Sequence, residues 1–368
     1  MALKRIALLI LTTFYLQVSQ AQENCQQVLD MANGEFEAGR FYGLPSMLKG
    51  CLESGFTKEQ RFRAYYILAQ AYLVLEDPIG AENSYLSLLK EDPEFKPNEK
   101  DDPIDIVYLS KKFTSRPRFT PHYRIGANVT FPGVIQGVST SASPSIVMAN
   151  TLRVGLQAGV GLDWNIDDNW SVCTGISYAV KSFGVTTSNI ARSDVSTLID
   201  RSSWLDIPIY LKYSYDSGKI RPFGYIGFAA NLLVSSSASL VFNDNSSVSA
   251  QTRIAQGPDI DLGFKRNFFN RSIVFGGGVK YKIGKNFLYA DARYMVGINN
   301  ITIPDKNYYN SDGTLATTLT QYQYVSDFLR LDNLSISFGY IRPLYDPRKL
   351  KKGTGKNFFR GMFKSKKK

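Results

Sequence analysis

The chain has 368 residues, of which 44% are hydrophobic, 13% aromatic and 20% charged, with a formal charge of +11 at neutral pH. That length permits two domains, and three cysteines are too few for a disulfide framework. Asp346 to Lys368 holds ten Lys/Arg against one acidic residue, and two further basic residues precede Gln22, so residues 22–345 carry no net charge. No basic domain is left to bind a phosphate backbone, which excludes nucleic acid as a partner.

At the N-terminus, Lys4 and Arg5 precede the apolar run Ile6 to Leu11, followed by Phe14, Leu16 and Val18 and then by the small residues Ser19 and Ala21. This is the pattern of a cleavable signal peptide over residues 1–21, with cleavage expected before Gln22. Glu23 and Asn24 stand where a lipoprotein signal requires small residues, so no lipid anchor is expected on Cys25. Further along, nothing approaches the roughly 20 consecutive apolar residues of a membrane helix, and any bilayer crossing has to be made by strands. Export permits disulfides. A bridge from Cys25 to Cys51 would tie the first helix to the second, while Cys173 falls inside a predicted strand.

Residues 22–115 read as helix pairs with equivalent positions about 36 residues apart. The first pair places Ala32, Phe36, Gly39 and Phe41 ahead of Leu44, Met47, Leu48 and Leu52, with Pro45 tolerable in a first turn. In the second, small and large residues alternate at helical spacing from Leu68 to Leu75. After a break at Asp77-Pro78, Ala81, Tyr85, Leu88 and Leu89 form the partner stripe, which stops at Asp92-Pro93. This resembles a tetratricopeptide repeat. A third helix is expected to start after Asp102 as N-cap with Pro103 at the first helical position, and to present Ile104, Val107, Tyr108 and Phe113. The aromatics fit simple helix packing; a groove for a protein partner is the alternative.

A linker at residues 116–121, Pro-bounded at Pro117 and Pro121, leads to a region, 122–345, in which the period switches to two. Eight segments alternate: Tyr123 to Phe131, Leu152 to Trp164, Trp170 to Val180, Leu205 to Tyr215, the less regular Pro222 to Val234, Ile273 to Ile283, Leu288 to Val296 and Leu334 to Tyr340. An even count closes an antiparallel barrel. Alternation alone is equally compatible with a soluble ligand-binding barrel that is apolar inside. The connections favour the membrane form. Short links at 166–169, 216–219 and 284–286 alternate with long ones at 132–150, 185–202, 235–271 and 299–330, and Trp164, Trp170, Trp204, Tyr213, Tyr215 and Tyr340 lie where interface girdles belong. Arg124, Arg153, Asp163, Lys181, Asp206, Lys212, Lys280, Asp291 and Arg293 then face the lumen, where eight strands leave just enough room for side chains to fill it. A paired network is expected there, with a narrow channel as the alternative.

Trp204-Leu-Asp-Ile-Pro-Ile-Tyr-Leu-Lys-Tyr213, Arg221-Pro-Phe-Gly-Tyr-Ile-Gly227 and Gly276-Gly-Gly-Val-Lys-Tyr281 resemble the PorT-like outer-membrane β-barrel proteins of Bacteroidota over Phe119 to Tyr345. The resemblance implies fold and location; the namesake of that family belongs to the type IX secretion system.

Catalytic chemistry is thinly represented. The sole histidine, His122, sits at the mouth of the first strand beside Pro121; there is no nucleophile elbow, histidine-rich metal pattern or phosphate loop. No catalytic, cofactor or metal residue is therefore assigned, and Gly276 to Gly278 read as strand glycines relieving curvature. In the basic tail, 346–368, Phe358, Phe359, Met362 and Phe363 share one helical face flanked by Arg360 and Lys364, so the tail is either a solvated extension or an arm for anionic headgroups or an acidic partner. The expected architecture is an α+β multidomain chain, N-terminal TPR-like α-helical hairpins followed by an eight-stranded antiparallel transmembrane β-barrel. Its partners would be outer-membrane lipids and periplasmic or outer-membrane proteins. The expected role is a non-enzymatic barrel that anchors a periplasmic partner-binding domain and tail in an envelope assembly; a surface-loop ligand binder and a narrow channel are the alternatives.

Overall fold

A computed structural model describes residues 24–138, 146–189, 194–244, 253–322 and 324–350. Residues 1–21, expected as a signal peptide, and the tail residues Phe358, Phe359, Arg360, Met362, Phe363 and Lys364 lie outside them. The chain divides into two units, Met1–Pro117 with Tyr345–Lys368, and Arg118–Leu344.

The helical unit contains α1 (24–37), α2 (Leu44–Glu53), α3 (Lys58–Val74), α4 (Pro78–Glu91) and α5 (Ile104–Ser110). Local chemistry sets the boundaries. Thr57 and Gln60 form a reciprocal capping box at the start of α3, with the Gln60 amide donating to Thr57 Oγ1 at 3.2 Å and the Thr57 amide to Gln60 Oε1 at 2.8 Å. Glu76, in the left-handed region at φ 58°, turns the chain out of α3. Asp77 then caps α4 by accepting from the amides of Ile79 and Gly80. Leu29, Ala32, Leu44, Leu48, Ala64 and Leu68 form one core, and Ala69, Ala81, Tyr85, Leu88, Ile106 and Leu109 a second. Cys25 is joined to Cys51, their Cα atoms 5.6 Å apart, which links α1 to α2.

The third helix departs from expectation. Asp102 does not cap it, because its carboxylate already accepts from Tyr66 Oη at 2.5 Å and from the Asn98 amide at 2.7 Å; Pro103 is the N-cap, with no side-chain hydrogen bond. Ile106, Val107 and Leu109 turn inward, Ile104 and Tyr108 are exposed, and Phe113 belongs to a short strand. That strand, Phe113–Thr114, pairs antiparallel with Arg348–Lys349, and Lys349 Nζ donates to both oxygens of Glu82 at 2.7 and 2.8 Å. The first basic residues after the barrel are thus part of the helical unit.

In the second unit, eight strands form an up-and-down ring: β1 (Phe119–Gln136), β2 (Val154–Asn165), β3 (Trp170–Asn189), β4 (Asp194–Ser214), β5 (Ile220–Asp244), β6 (Phe269–Ile283), β7 (Asn286–Gly297) and β8 (Phe328–Ile341). Each pairs antiparallel with its sequence neighbours, and β8 closes on β1 with Ile341 opposite His122 and Ile336 opposite Ala127. Both ends of the barrel chain therefore lie at one rim, together with the three tight turns, two of which use glycines at positive φ, Gly218 at 77° and Gly284 at 60°.

The face question is decided by burial. Ile125, Leu156 and Phe228 point outward at 68–69% exposure, whereas Arg124, Asp163 and Asp206 point inward at 7%, 2% and 4%. The apolar face is on the outside, which rules out the soluble, apolar-lumen barrel. Trp164, Trp170, Tyr213, Tyr215 and Tyr340 are exposed near the turn rim. Trp204 is not a girdle residue: at 2% exposure it points inward, on the same side of β4 as Asp206.

At the opposite rim the segments expected as long loops are largely folded. β3 and β4 continue to Asn189 and from Asp194 as a paired ribbon, and β5 runs on to Asp244 beyond a register shift at Ser203/Trp204. Ile146–Leu152 adds to the edge of β3, and Arg253–Gln256 and Ile260–Asp261 to that of β5. Thr, Val and Ile in these extensions favour pleated backbone and outweigh the surrounding Ser and Asn.

Candidate functional site

The lumen is built in layers by alternate residues of all eight strands. Near the turn rim, Lys280 Nζ donates to Asp216 at 2.8 Å and Arg221 lies 4.8 Å over the Phe287 ring. Above it, Asp163 of β2 forms an ion pair with Lys212 of β4, and His122 Nδ1 approaches the same carboxylate at 3.4 Å. Gly161 makes this possible, since a Cβ there would come within 2.3 Å of His122 Nε2.

In the middle layer Arg293 Nε donates to Tyr225 Oη at 3.1 Å, Tyr225 donates to Asp291 at 2.5 Å, and the guanidinium lies over the rings of Tyr225 and Tyr210 at 5.3 and 5.5 Å. Gly276, from the glycine triplet, leaves room for Tyr225: a Cβ would sit 2.6 Å from its hydroxyl. Cys173 is buried in this cluster as a free thiol. Arg124 donates to Ser177 Oγ at 2.8 Å. The next layer up joins Lys181 Nζ to Asp206 at 3.1 Å, Asn231 Nδ2 to the same oxygen at 2.5 Å, and Ser272 Oγ to Asn231 at 2.8 Å. Eight of the nine residues expected in the lumen are buried there, and Arg153, in the one-residue break before β2, is half-buried.

Over the lumen sits an apolar cap. Phe183, Leu198, Trp204, Leu240, Leu262 and Leu329 are among its core, with Tyr322 of α6 (Thr317–Tyr322) beneath the surface. Trp204 Nε1 donates to Ser202 Oγ at 2.9 Å, and Lys181 lies 5.5 Å over its ring, so one residue joins the polar lumen to the cap. A cavity of about 20 Å³ between Lys181, Asn270 and Asn333 has room for about a water molecule.

The cap holds two buried cations in segments that the sequence pattern assigns to loops. Arg266 donates to Asp200 at 2.5 Å and to Thr302 Oγ1 at 2.8 Å. Lys265 donates to the Asn307 carbonyl at 3.2 Å and to Thr318 Oγ1 at 3.1 Å, both neutral acceptors, and burial pushes its pKa down to about 8. The alternation of Leu198 with Asp200 and Ser202 is the signal that extends β4 upward and brings Asp200 inside. For Lys265 no periodic pattern points to burial.

Chemically, this arrangement is a set of paired charges held away from solvent, in which His122 Nδ1, Asp163 Oδ1 and Asp291 Oδ1 make no hydrogen bond among the described residues. His122 has Asp163 beside it, but Cys173 and the serines of the lumen are enclosed among the paired charges rather than presented to a cleft. Among the described residues no group of three or more His, Cys, Asp or Glu could hold a metal ion, and no helix is long and apolar enough to cross a membrane.

The outer membrane protein beta-barrel domain matches residues 116–302, just over half of the 368. The chain belongs to this family. As an outer membrane β-barrel protein it is located in the outer membrane, crossed by strands. No curated protein matches it. Solved structures similar to it include the outer membrane protein OprG of Pseudomonas aeruginosa, at 11% identity and TM-score 0.32 over 64% of this chain and 99% of that one. Ail, the attachment invasion locus protein of Yersinia pestis, is similar at 9% and 0.26 over 61% and 99%, and the outer membrane protease OmpT of Escherichia coli at 9% and 0.29 over 62% and 97%. These likenesses are too distant to transfer an activity to this outer membrane barrel.

Proposed function

We propose that the barrel is a closed anchor, neither channel nor enzyme, and that the helical unit it carries lies in the periplasm and holds a protein partner in an envelope assembly, in secretion or outer-membrane biogenesis. The observation that carries this reading is the filled lumen: layers of ion pairs run from Asp216 to Asp206 and are closed over by the apolar core around Trp204. Buried charges fixed in pairs serve a rigid structure better than a conduit, because every ion passing would have to break them. The remaining accessible surface of distinctive shape is then the helical unit, whose two successive helix pairs are compatible with a TPR-like stack and with the periplasmic side of a PorT-like protein.

The test is purification of the full-length protein from outer membranes in mild detergent. A stoichiometric envelope partner that is lost when the helical unit is deleted supports the reading. A lone monomer, or steady single-channel conductance in a planar bilayer, refutes it.

A second reading is favoured by one feature. The cap exposes Ile254, Phe264, Tyr308, Tyr309 and Leu315, and apolar and aromatic side chains on a well-packed base can bind an extracellular ligand or matrix. Ligand binding that persists without the helical unit and disappears on cap substitution would make this the function.

A further inference from the structure

The exposed side of α5 is an apolar face without a covering element. Ile104 and Tyr108, one turn apart, are 66% and 62% exposed, while Ile106 and Leu109 on the opposite side pack into the core around Tyr85. In a stack of helices each unit buries its face against the next, so an uncovered final face calls for a capping segment. The chain supplies a candidate at this place. After the barrel it returns to the helical unit, where the Leu350 amide donates to the Lys112 carbonyl at 2.8 Å, two residues beyond the end of α5. The eighteen residues that follow contain Phe358, Phe359, Met362 and Phe363 on one face in a helical pattern, and eight Lys/Arg with no acidic residue.

We infer that residues 356–364 dock on the Ile104/Tyr108 face of α5 and cap their own helical unit. Reach permits it. Six residues from Leu350 to Lys356 span at most about 20 Å, and seven residues of helix are about 10 Å long, so the segment can run back along α5. Charge at this face is mixed: Asp105 on α5 and Asp101 before it are opposite in sign to Lys356, Arg360 and Lys364, while Lys111 pairs with Glu99 and lies 5.5 Å over the Tyr108 ring. An apolar strip beside the chain's own return at Lys112, with Asp105 on the same helix, fits the apolar face and basic flank of that segment better than it fits an anionic lipid surface. The inference is independent of whether the unit also binds a second protein.

The experiment uses full-length protein in detergent carrying Tyr108→Cys with Phe359→Cys. Mild oxidation is expected to give an intramolecular disulfide, seen as a mobility shift under non-reducing conditions and assigned by mass spectrometry of the linked peptides. Tyr42→Cys with Phe359→Cys, at an exposed aromatic in the first helix pair, is expected to stay unlinked. Adding Asp105→Lys to the first pair should slow linkage roughly fivefold, about the factor an exposed ion pair is worth. Linkage of both pairs at equal rates, linkage between molecules only, or no linkage with Phe359→Cys instead protected by anionic vesicles, would each overturn the inference. Refolding is checked by the native Cys25–Cys51 bridge, which has to be present in the same digest.

Discussion

At the scale of single residues, the lumen makes the sharpest demands. Asp163 and Lys212 are both nearly inaccessible, and removing one charge strands the other at a typical cost of about 3–5 kcal/mol. Asp163→Asn should therefore lower the urea midpoint of barrel unfolding in detergent, whereas Asp163→Leu combined with Lys212→Met should come close to the wild type. A midpoint unchanged by the single substitution would show that the pair carries no structural weight. Lys265, in the cap beyond the barrel rim, gives a pH dependence of defined sign. Burial first, and Arg266 second, hold its pKa at about 8, against about 10.4 for an unfolded lysine. Between these values the unfolded chain binds a proton that the folded one does not, so cap stability rises with pH across this window and levels off above it. Urea unfolding followed by fluorescence of the buried Trp204 should show that rise, and Lys265→Met should abolish it. These residues also mark what the sequence could tell. Asp163, Lys212 and Asp206 are legible because each interrupts an apolar alternation; Trp204 shares the parity of Asp206, and its inward position follows once parity outweighs the aromatic-belt argument. Lys265 is illegible because its burial comes from chain segments more than forty positions away, at Asn307 and Thr318.

Secondary-structure elements were legible where one periodicity ruled from end to end. Each of the eight alternating segments falls, to within two residues at its ends, on one ring strand, because one-sided burial punishes a register slip of a single residue. Their extensions into the rim carry the sequence pattern of loops, since a Ser-rich run such as Ser235 to Ser239 has weak strand propensity by itself and is held by pairing with Ser202, Ser203 and Ile199 across the ladder. In the helical unit, Asp77-Pro78 and Asp92-Pro93 mark the ends of α4 correctly, but Asp102 is taken out of its capping role by Tyr66, a tertiary competition that no local pattern announces. The α1–α2 link yields a prediction at this scale. Closing a loop with the Cys25–Cys51 separation of 26 restricts the unfolded chain by about 3 kcal/mol. Cys51→Ser is expected to lower the melting temperature of the helical signal in circular dichroism and to speed proteolysis between α1 and α2. The β signal should be unchanged, because the two units have separate cores; a parallel loss of both signals would contradict that separation.

For the whole molecule, the decisive constraint is topological. An even ring whose strands all pair with sequence neighbours returns the chain to the rim where it started, and Ile341 opposite His122 shows that return directly. Whatever side of the membrane holds the turns Asp167, Gly218 and Gly284 therefore holds both the segment before β1 and the segment after β8. Outer-membrane barrels keep short turns in the periplasm and long connections outside, so the proposed function places the cap at the cell surface and the helical unit in the periplasm. The assignment can be checked without any partner. Asp312 precedes Gly313 at φ 81°, in an exposed turn of the connection between β7 and β8, and Tyr42 is 88% exposed in the helical unit. In intact cells a membrane-impermeant maleimide should label Asp312→Cys and leave Tyr42→Cys untouched, and permeabilising the outer membrane should make the two equally reactive. The reverse pattern would put the helical unit outside, make the cap periplasmic, and transfer the partner-binding argument from the helices to the surface around Phe264 and Tyr308.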